Sequence, residues 1–214
     1  MRKQFIAIAP EGYPFIALLI VTALVFALIK FKCLAIISLI LLWFVGHFFR
    51  DPERVIPQDE AVAISPADGK ILRIEDRMSP ISGKNSKCIS IFMNIFNVHV
   101  NRMPLSGKIE KVTYIPGLFL NASFDKASEF NERCIWHIVD GEGESWDVVQ
   151  IAGLIARRIV PYAQAGDELE RGERFGMIRF GSCVEIYMPD SYEPVVSLND
   201  IVHAGETIIA RRRA

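Results

Sequence analysis

The chain has 214 residues, with 24 Lys and Arg against 25 Asp and Glu, a formal net charge of −1 and four histidines. That near balance excludes a nucleic-acid surface, which needs a clear basic excess. The length suffices for one domain plus an appendage and for a real core, while the mean hydropathy of +0.27 is high for a local reason.

That reason lies near the N-terminus. Tyr13 to Ile29 reads "YPFIALLIVTALVFALI" and Cys33 to Phe49 reads "CLAIISLILLWFVGHFF", neither with Lys, Arg, Asp or Glu. Each run holds 17 residues, so each helix would span roughly 25 Å at 1.5 Å per residue. A hydrocarbon core is about 30 Å thick, which places both runs at the short limit for a span. No polar stripe recurs at helical spacing, which argues against a water-facing hairpin. The stretch is too long for a cleaved signal peptide, is broken by Lys30 and Lys32, and lacks a small-residue cleavage site. The expectation is an apolar helical hairpin over residues 1–50 that spans the bilayer or lies in one leaflet. Arg2, Lys3, Arg50 and Arg54 flank its ends and predict that both ends, and the domain beyond them, face the cytoplasm.

"RDPERVIPQDE" (Arg50–Glu60) is charged and punctuated by proline, so residues 51–60 read as a linker. Beyond it, short β-like runs succeed one another. They are "KILRI" from Lys70, "CISIFMNIF" from Cys88, "GKIEKVTYI" from Gly107, "CIWHIV" from Cys134 and "WDVVQI" from Trp146. "MIRF" before Gly181, "VEIYM" after Cys183 and "TIIARR" near the C-terminus continue the series. Turn signals such as Asp68-Gly69, Pro116-Gly117 and Gly141-Glu142-Gly143 separate them. The pattern predicts a mainly β (α+β) domain over residues 61–214. "DKASEFNER" (Asp125–Arg133) reads as a short helix or an ordered loop.

Cys33, Cys88, Cys134 and Cys183 show no C-x-x-C spacing, which argues against a zinc site or a disulfide framework and suits a reducing compartment. No metal ligand set is expected. Among the histidines, His47 ends the second apolar run, His137 sits in a strand beside Trp136, and His203 lies in a polar turn. His99 differs, because "NVHVNRMPLSG" surrounds it with polar residues just after a very apolar run. Asp68-Gly69 and Gly181-Ser182 are, taken alone, ordinary turn dipeptides. The G-x-S-x-G elbow and phosphate-cradling glycine loops are absent.

Taken in order, "FFRDPER", "SPADG", "NVHVNRMPLSG", "YIPGLFLNASFDKASEFNER", "QIAGLIARRIV" and "RFGSCVEIYMP" resemble the short, membrane-associated branch of the phosphatidylserine decarboxylase family. The resemblance runs from about Phe48 to the C-terminus. It implies a proenzyme that cuts itself between Gly181 and Ser182, giving a large chain 1–181 and a small chain 182–214. The Ser182 hydroxyl would attack the Gly181 carbonyl and turn the amide into an ester. Removal of the Ser182 α-proton then releases the upstream chain, and hydrolysis of the remaining dehydroalanine leaves a covalent pyruvoyl group and ammonia. That group would form a Schiff base with phosphatidylserine and release CO₂, giving phosphatidylethanolamine.

The resemblance also assigns roles. A serine hydroxyl needs an adjacent base, which His99 would supply, with Asp68 orienting the imidazole. Arg102, Lys126 and Arg133 are candidate partners for the lipid phosphate or carboxylate. The implied partners are the membrane phospholipid and the two chains of one precursor, at the cytoplasmic side of the cell membrane, with a homo-oligomer left open. Longer family members carry two histidines here, and the second aligns with Arg102, whose guanidinium stays protonated. His99 would then serve both self-cleavage and decarboxylation. Two alternatives predict an uncut chain. One is a membrane-tethered biotinyl- or lipoyl-like binding module, disfavoured because no lysine follows Lys126. The other is an inactive scaffold.

Overall fold

A computed structural model describes residues 8–118, 130–153, 158–179 and 182–213. The chain forms two compact units, Met1–Glu53 and Arg54–Ala214.

In the first unit a short 3-10 turn, Pro10–Gly12, leads into α1 (Tyr13–Leu28), and α2 is Lys32–Phe48. Lys30 takes a left-handed conformation, φ 61°, and reverses the chain between them. Ile8 bridges Arg50 at the open end, with the Ala9 N–H on the Phe49 carbonyl at 2.7 Å, so the two helices close as an antiparallel hairpin. Their outward faces are apolar: Leu28 is 79% exposed and Trp43 66%. Pro10–Leu28 is long and apolar enough to cross a membrane, and Lys32–Phe48 is shorter.

The second unit is built of strands. In chain order they begin with β1 (Val62–Ile64), β2 (Gly69–Met78), β3 (Asn85–Met93), β4 (Val100–Arg102) and β5 (Gly107–Ile115). Next come β6 (Arg133–Asp140), β7 (Ser145–Ala152), β8 (Ile159–Pro161), β9 (Glu168–Leu169) and β10 (Arg174–Ile178). The last are β11 (Ser182–Met188), β12 (Tyr192–Pro194), β13 (Ile201–Val202) and β14 (Ile208–Arg212). Among the described residues they form one eight-stranded sheet, β13-β2-β3-β11-β7-β6-β5-β9, and two three-stranded sheets, β1-β14-β12 and β4-β10-β8. The pairings are antiparallel, which suits the short, turn-separated runs of the sequence. The expected mainly β domain with an N-terminal apolar helical hairpin is the architecture observed.

The run from Cys88 stops as a strand at Met93 rather than Phe96. There Asn94 and Asn97 turn the chain: the Asn94 N–H donates to Asn97 Oδ1 and the Phe96 N–H to Asn94 Oδ1, both at 2.8 Å. Asn side chains that mimic backbone turns account for this break in an otherwise apolar stretch. Of the stretch expected as a linker, residues 54–60 belong to the second unit. Arg54 pairs with Asp68, and Arg171 donates to the Pro57 carbonyl at 2.7 Å.

The central strand is β11, buried along its whole length. Successive side chains alternate between faces. Val184, Ile186 and Met188 enter the main core with Ile71, Ile91, Trp136 and Phe175, a core shared by all three sheets. Cys183 and Tyr187 enter a smaller cluster on the other face with Cys88, Ile135, Val149 and Ile151. Glu185 is buried on that second face and is satisfied there. Arg77 lies 2.9 Å away, and Tyr187 donates at 2.8 Å and Ser90 at 3.3 Å. A buried carboxylate persists only when so paired.

Candidate active site

Ser182 opens β11. Strand β10 ends at Ile178 in a small sheet, and β11 begins at Ser182 in the centre of the large one. Ser182 is fully buried and pairs with Met93 on one side and Ala152 on the other. Its hydroxyl lies 3.3 Å from the Met93 sulfur and meets no oxygen or nitrogen acceptor among the described residues. Gly181 and Lys126 lie outside the described residues.

His99 is also fully buried. Its Nδ1 is 2.9 Å from the Asn97 carbonyl, which can only accept, so Nδ1 carries the proton of the neutral ring. Nε2 is then the basic nitrogen. The His99 carbonyl accepts the Ile178 N–H at 3.2 Å and ties the histidine segment to the strand that runs toward Ser182.

Asp68 is buried, but its described contacts lead elsewhere. Arg54 grips both carboxylate oxygens, at 3.0 and 2.9 Å, and the Ala204 N–H donates to Oδ1 at 2.8 Å. His203 Nδ1 stands 3.7 Å from Oδ2. The structure therefore brings Asp68 to Arg54 and His203, and its described contacts do not include His99. Sequence reasoning passed over both partners. The β13–β2 pairing sets Val202 opposite Gly69 and so His203 beside Asp68, and no local pattern announces that pairing.

The three candidate anion-binding residues separate. Arg102 is buried, with its guanidinium on the Gly172 carbonyl at 3.0 Å and its N–H on the Pro66 carbonyl. Arg133 is half-buried at the start of β6. Lys126 lies outside the described residues.

A buried amide chain also reaches this region. Trp136 donates to Gln150 at 2.8 Å, Gln150 to Asn101 at 2.7 Å, and Asn101 to the Pro66 carbonyl at 3.3 Å. It ties β6, β7 and β4 to the segment that carries Asp68, and each polar group in it is satisfied. Gly69 sits so close to β3 that a Cβ there would meet the Phe92 carbonyl oxygen at 2.2 Å. Cys183, next to the candidate nucleophile, points to the opposite face of the sheet, where burial pushes its thiol pKa up. A buried neutral thiol is a poor nucleophile. His137 pairs with buried Asp147 at 2.6 Å, which also accepts the Ile81 N–H and the Ser79 hydroxyl. No metal-binding group of His, Cys, Asp or Glu occurs among the described residues.

The family model for phosphatidylserine decarboxylase matches residues 41–210. The chain is 55% identical over 212 residues to a phosphatidylserine decarboxylase proenzyme of Nitratidesulfovibrio vulgaris, covering 99% of this chain and 98% of that protein. It is 52% identical to the one of Oleidesulfovibrio alaskensis, covering 100% and 98%. To the one of Burkholderia pseudomallei it is 47% identical, covering 95% and 94%. With a match that spans most of the chain and relatives of equal length, the chain belongs to the phosphatidylserine decarboxylase family.

Proposed function

We propose that this protein is a proenzyme that cuts itself at Gly181–Ser182 and then decarboxylates phosphatidylserine to phosphatidylethanolamine. The observation that carries the reading is Ser182 itself. It is a buried serine at the head of the central strand, its hydroxyl facing a thioether and no oxygen or nitrogen acceptor among the described residues, in a chain of this carboxy-lyase family.

His99 Nε2 takes the hydroxyl proton as Ser182 attacks the Gly181 carbonyl. His99 next removes the Ser182 α-proton, and the upstream chain departs with a carboxylate at Gly181. Asp68 remains in the catalytic set as the site's buried carboxylate, fixed by Arg54 and shared with His203. Arg102, Arg133 and Lys126 remain candidates for holding the lipid's anionic groups.

A pyruvoyl group fits position 182, because its methyl ketone would lie beside the Met93 thioether and Ala152. When present it supplies a carbonyl that takes the substrate amine and draws electrons while CO₂ leaves. His99 would return the proton to the product carbon.

Cleavage does not separate the chains. β11 stays paired with β3 and β7, β13 with β2, and β14 with β1. The hairpin serves as the anchor of residues 1–50, and the catalytic unit faces the cytoplasm, where substrate and product share the bilayer. The binding-module and scaffold alternatives receive no support from relatives named as decarboxylase proenzymes.

The test is release of CO₂ from carboxyl-labelled phosphatidylserine by the purified full chain. Wild type is expected to release it, and Ser182→Ala and His99→Ala to stay uncut and inactive. Full activity in Ser182→Ala would overturn the proposal.

A further inference from the structure

The large sheet has two unlike ends. Ser182 lies in a row with Met93 and Ala152, and the Ala152 N–H reaches the Glu132 carbonyl at 2.9 Å. Just past this row, at the same end, lie the turn after β3, the residues before β6 and those after β5. Each exposes a large apolar side chain: Phe96 is 57% exposed, Phe130 52% and Leu118 58%. Phe130 and Leu118 are joined there, the Leu118 N–H donating to the Phe130 carbonyl at 2.7 Å. Strands are spaced by about 4.8 Å. Phe96 therefore comes after a strand one spacing to one side of β11, and Phe130 and Leu118 flank strands two and three spacings to the other.

Basic side chains lie at this end, with Glu132 among them. Arg133 opens β6, and Arg158 faces Arg179 across a backbone hydrogen bond, the Arg179 N–H on the Arg158 carbonyl at 3.2 Å. Arg179 stands three residues before Ser182, and its Nε is buried with no hydrogen-bond partner among the described residues. The opposite end of the same strands is mixed in charge: Asp140, Glu142 and Glu144 surround the β6–β7 turn, with Lys84 before β3, Lys108 on β5 and Arg212 paired to Glu142. It exposes Met78 at the end of β2.

We infer that the Ser182 end of the sheet is a bilayer-docking face of the catalytic unit. Phe96, Leu118 and Phe130 enter the boundary between headgroups and acyl chains, and Arg158 and Arg179 face the anionic headgroups. The inference rests on the proposed lipid decarboxylation. A headgroup must reach a serine buried at the sheet's end, and lifting the lipid wholly into water would expose its acyl chains. A face that puts apolar side chains among the acyl chains and basic ones among the phosphates removes that cost.

The test uses the full chain in vesicles of phosphatidylcholine with a minority of phosphatidylglycerol. In a Cys33→Ser background, a polarity-sensitive fluorophore is attached at Leu118→Cys, Phe130→Cys or, at the far end, Glu142→Cys. Spin-labelled acyl chains are expected to quench the labels at 118 and 130 severalfold more than the label at 142. Equal quenching at the three positions overturns the docking face. A second arm compares Phe96→Ser/Leu118→Ser/Phe130→Ser with wild type. Its kcat/KM on vesicle phosphatidylserine is expected to fall by about tenfold or more. On a short-chain, water-soluble phosphatidylserine it should stay within about twofold. Equal losses on both substrates, or none on vesicles, would contradict the proposal. An uncut, inactive wild type would refute the Ser182 chemistry instead, and the quenching arm would still decide docking.

Discussion

Arg54 lies in a proline-rich stretch that reads as a linker, yet it holds the most buried carboxylate of the candidate site. Its side chain is 11% exposed and that of Asp68 6%. Arg54→Met removes the guanidinium and leaves the Asp68 charge buried. Breaking a buried pair from one side costs about 3–5 kcal/mol. The lower end applies, because the Ala204 N–H and His203 still serve the carboxylate. The second ion pair of Arg54, to Glu206 at 2.8 Å, adds little: that carboxylate is 36% exposed, and solvent screening keeps such pairs below about 1 kcal/mol. A loss of about 3 kcal/mol lowers Tm by roughly 6–12 °C in a domain of this size. The assay is thermal unfolding of the full chain in detergent micelles, in a Ser182→Ala background that keeps the chain whole. Trp136 and Trp146, both buried in the second unit, report the transition. With Asp68→Asn already present, Arg54→Met should cost only about 1 kcal/mol, a coupling of about 2 kcal/mol. A Tm shift under about 2 °C, or strict additivity, would refute the assignment of Arg54 as the group that holds Asp68.

The same contacts set other expectations. Gly69→Ala would drive a methyl into the Phe92 carbonyl and should destabilise by roughly 1–3 kcal/mol and slow self-cleavage. Gly141→Ala, with nothing within 4 Å, should stay within about 0.5 kcal/mol, as unfolding of both variants will show. For Glu206, burial works against ionisation, but the Arg54 hydrogen bond and the Val55 N–H win and lower its pKa. A lowered folded pKa stabilises above the unfolded value and is lost as pH falls through the folded one. The stability gap between wild type and Glu206→Gln should be about 0.5 kcal/mol at neutral pH. It should close as pH drops below the ordinary glutamate value of about 4.3. Among thiols, Cys33 is exposed and the other three are buried. Burial raises Cys88 and Cys183 and brings Cys134 up to about 12. A maleimide at neutral pH should modify one thiol in the native protein and three more after denaturation. Rapid modification of Cys183 in the native state would contradict its place on the far face.

Much of this was legible in the sequence because it is local. The uncharged runs from Tyr13 and Cys33 became α1 and α2, and the run from Gly107 became β5 with the same ends. Alternation after Cys183 gave the two faces of β11, though not that its polar face would be buried around Glu185. What was not legible depends on pairing between distant segments. "MIRF" and "VEIYM" look like parts of one interrupted strand, yet they belong to different sheets, with Ser182 at the crossing. The coupling of Asp68 to His99 came from the family resemblance, not from any local pattern around either residue. The pairing of β13 with β2 instead sets His203 against Asp68 from more than half the chain away. Arg54 was hidden by its setting, since prolines and charges mark a linker whether or not one charge is buried. Ser182 became a candidate only through long family motifs, because Gly-Ser alone is an ordinary turn dipeptide, whereas the polar setting of His99 already set it apart from the other histidines.

The most direct test of the central claim is intact-mass spectrometry of the purified wild type beside Ser182→Ala. The account predicts two wild-type chains that break at Gly181–Ser182. The small one should be lighter by one ammonia than the same fragment with an ordinary N-terminal serine, and Ser182→Ala should remain a single chain. A folded wild type that stays whole, or a small chain that keeps its serine nitrogen, would contradict it.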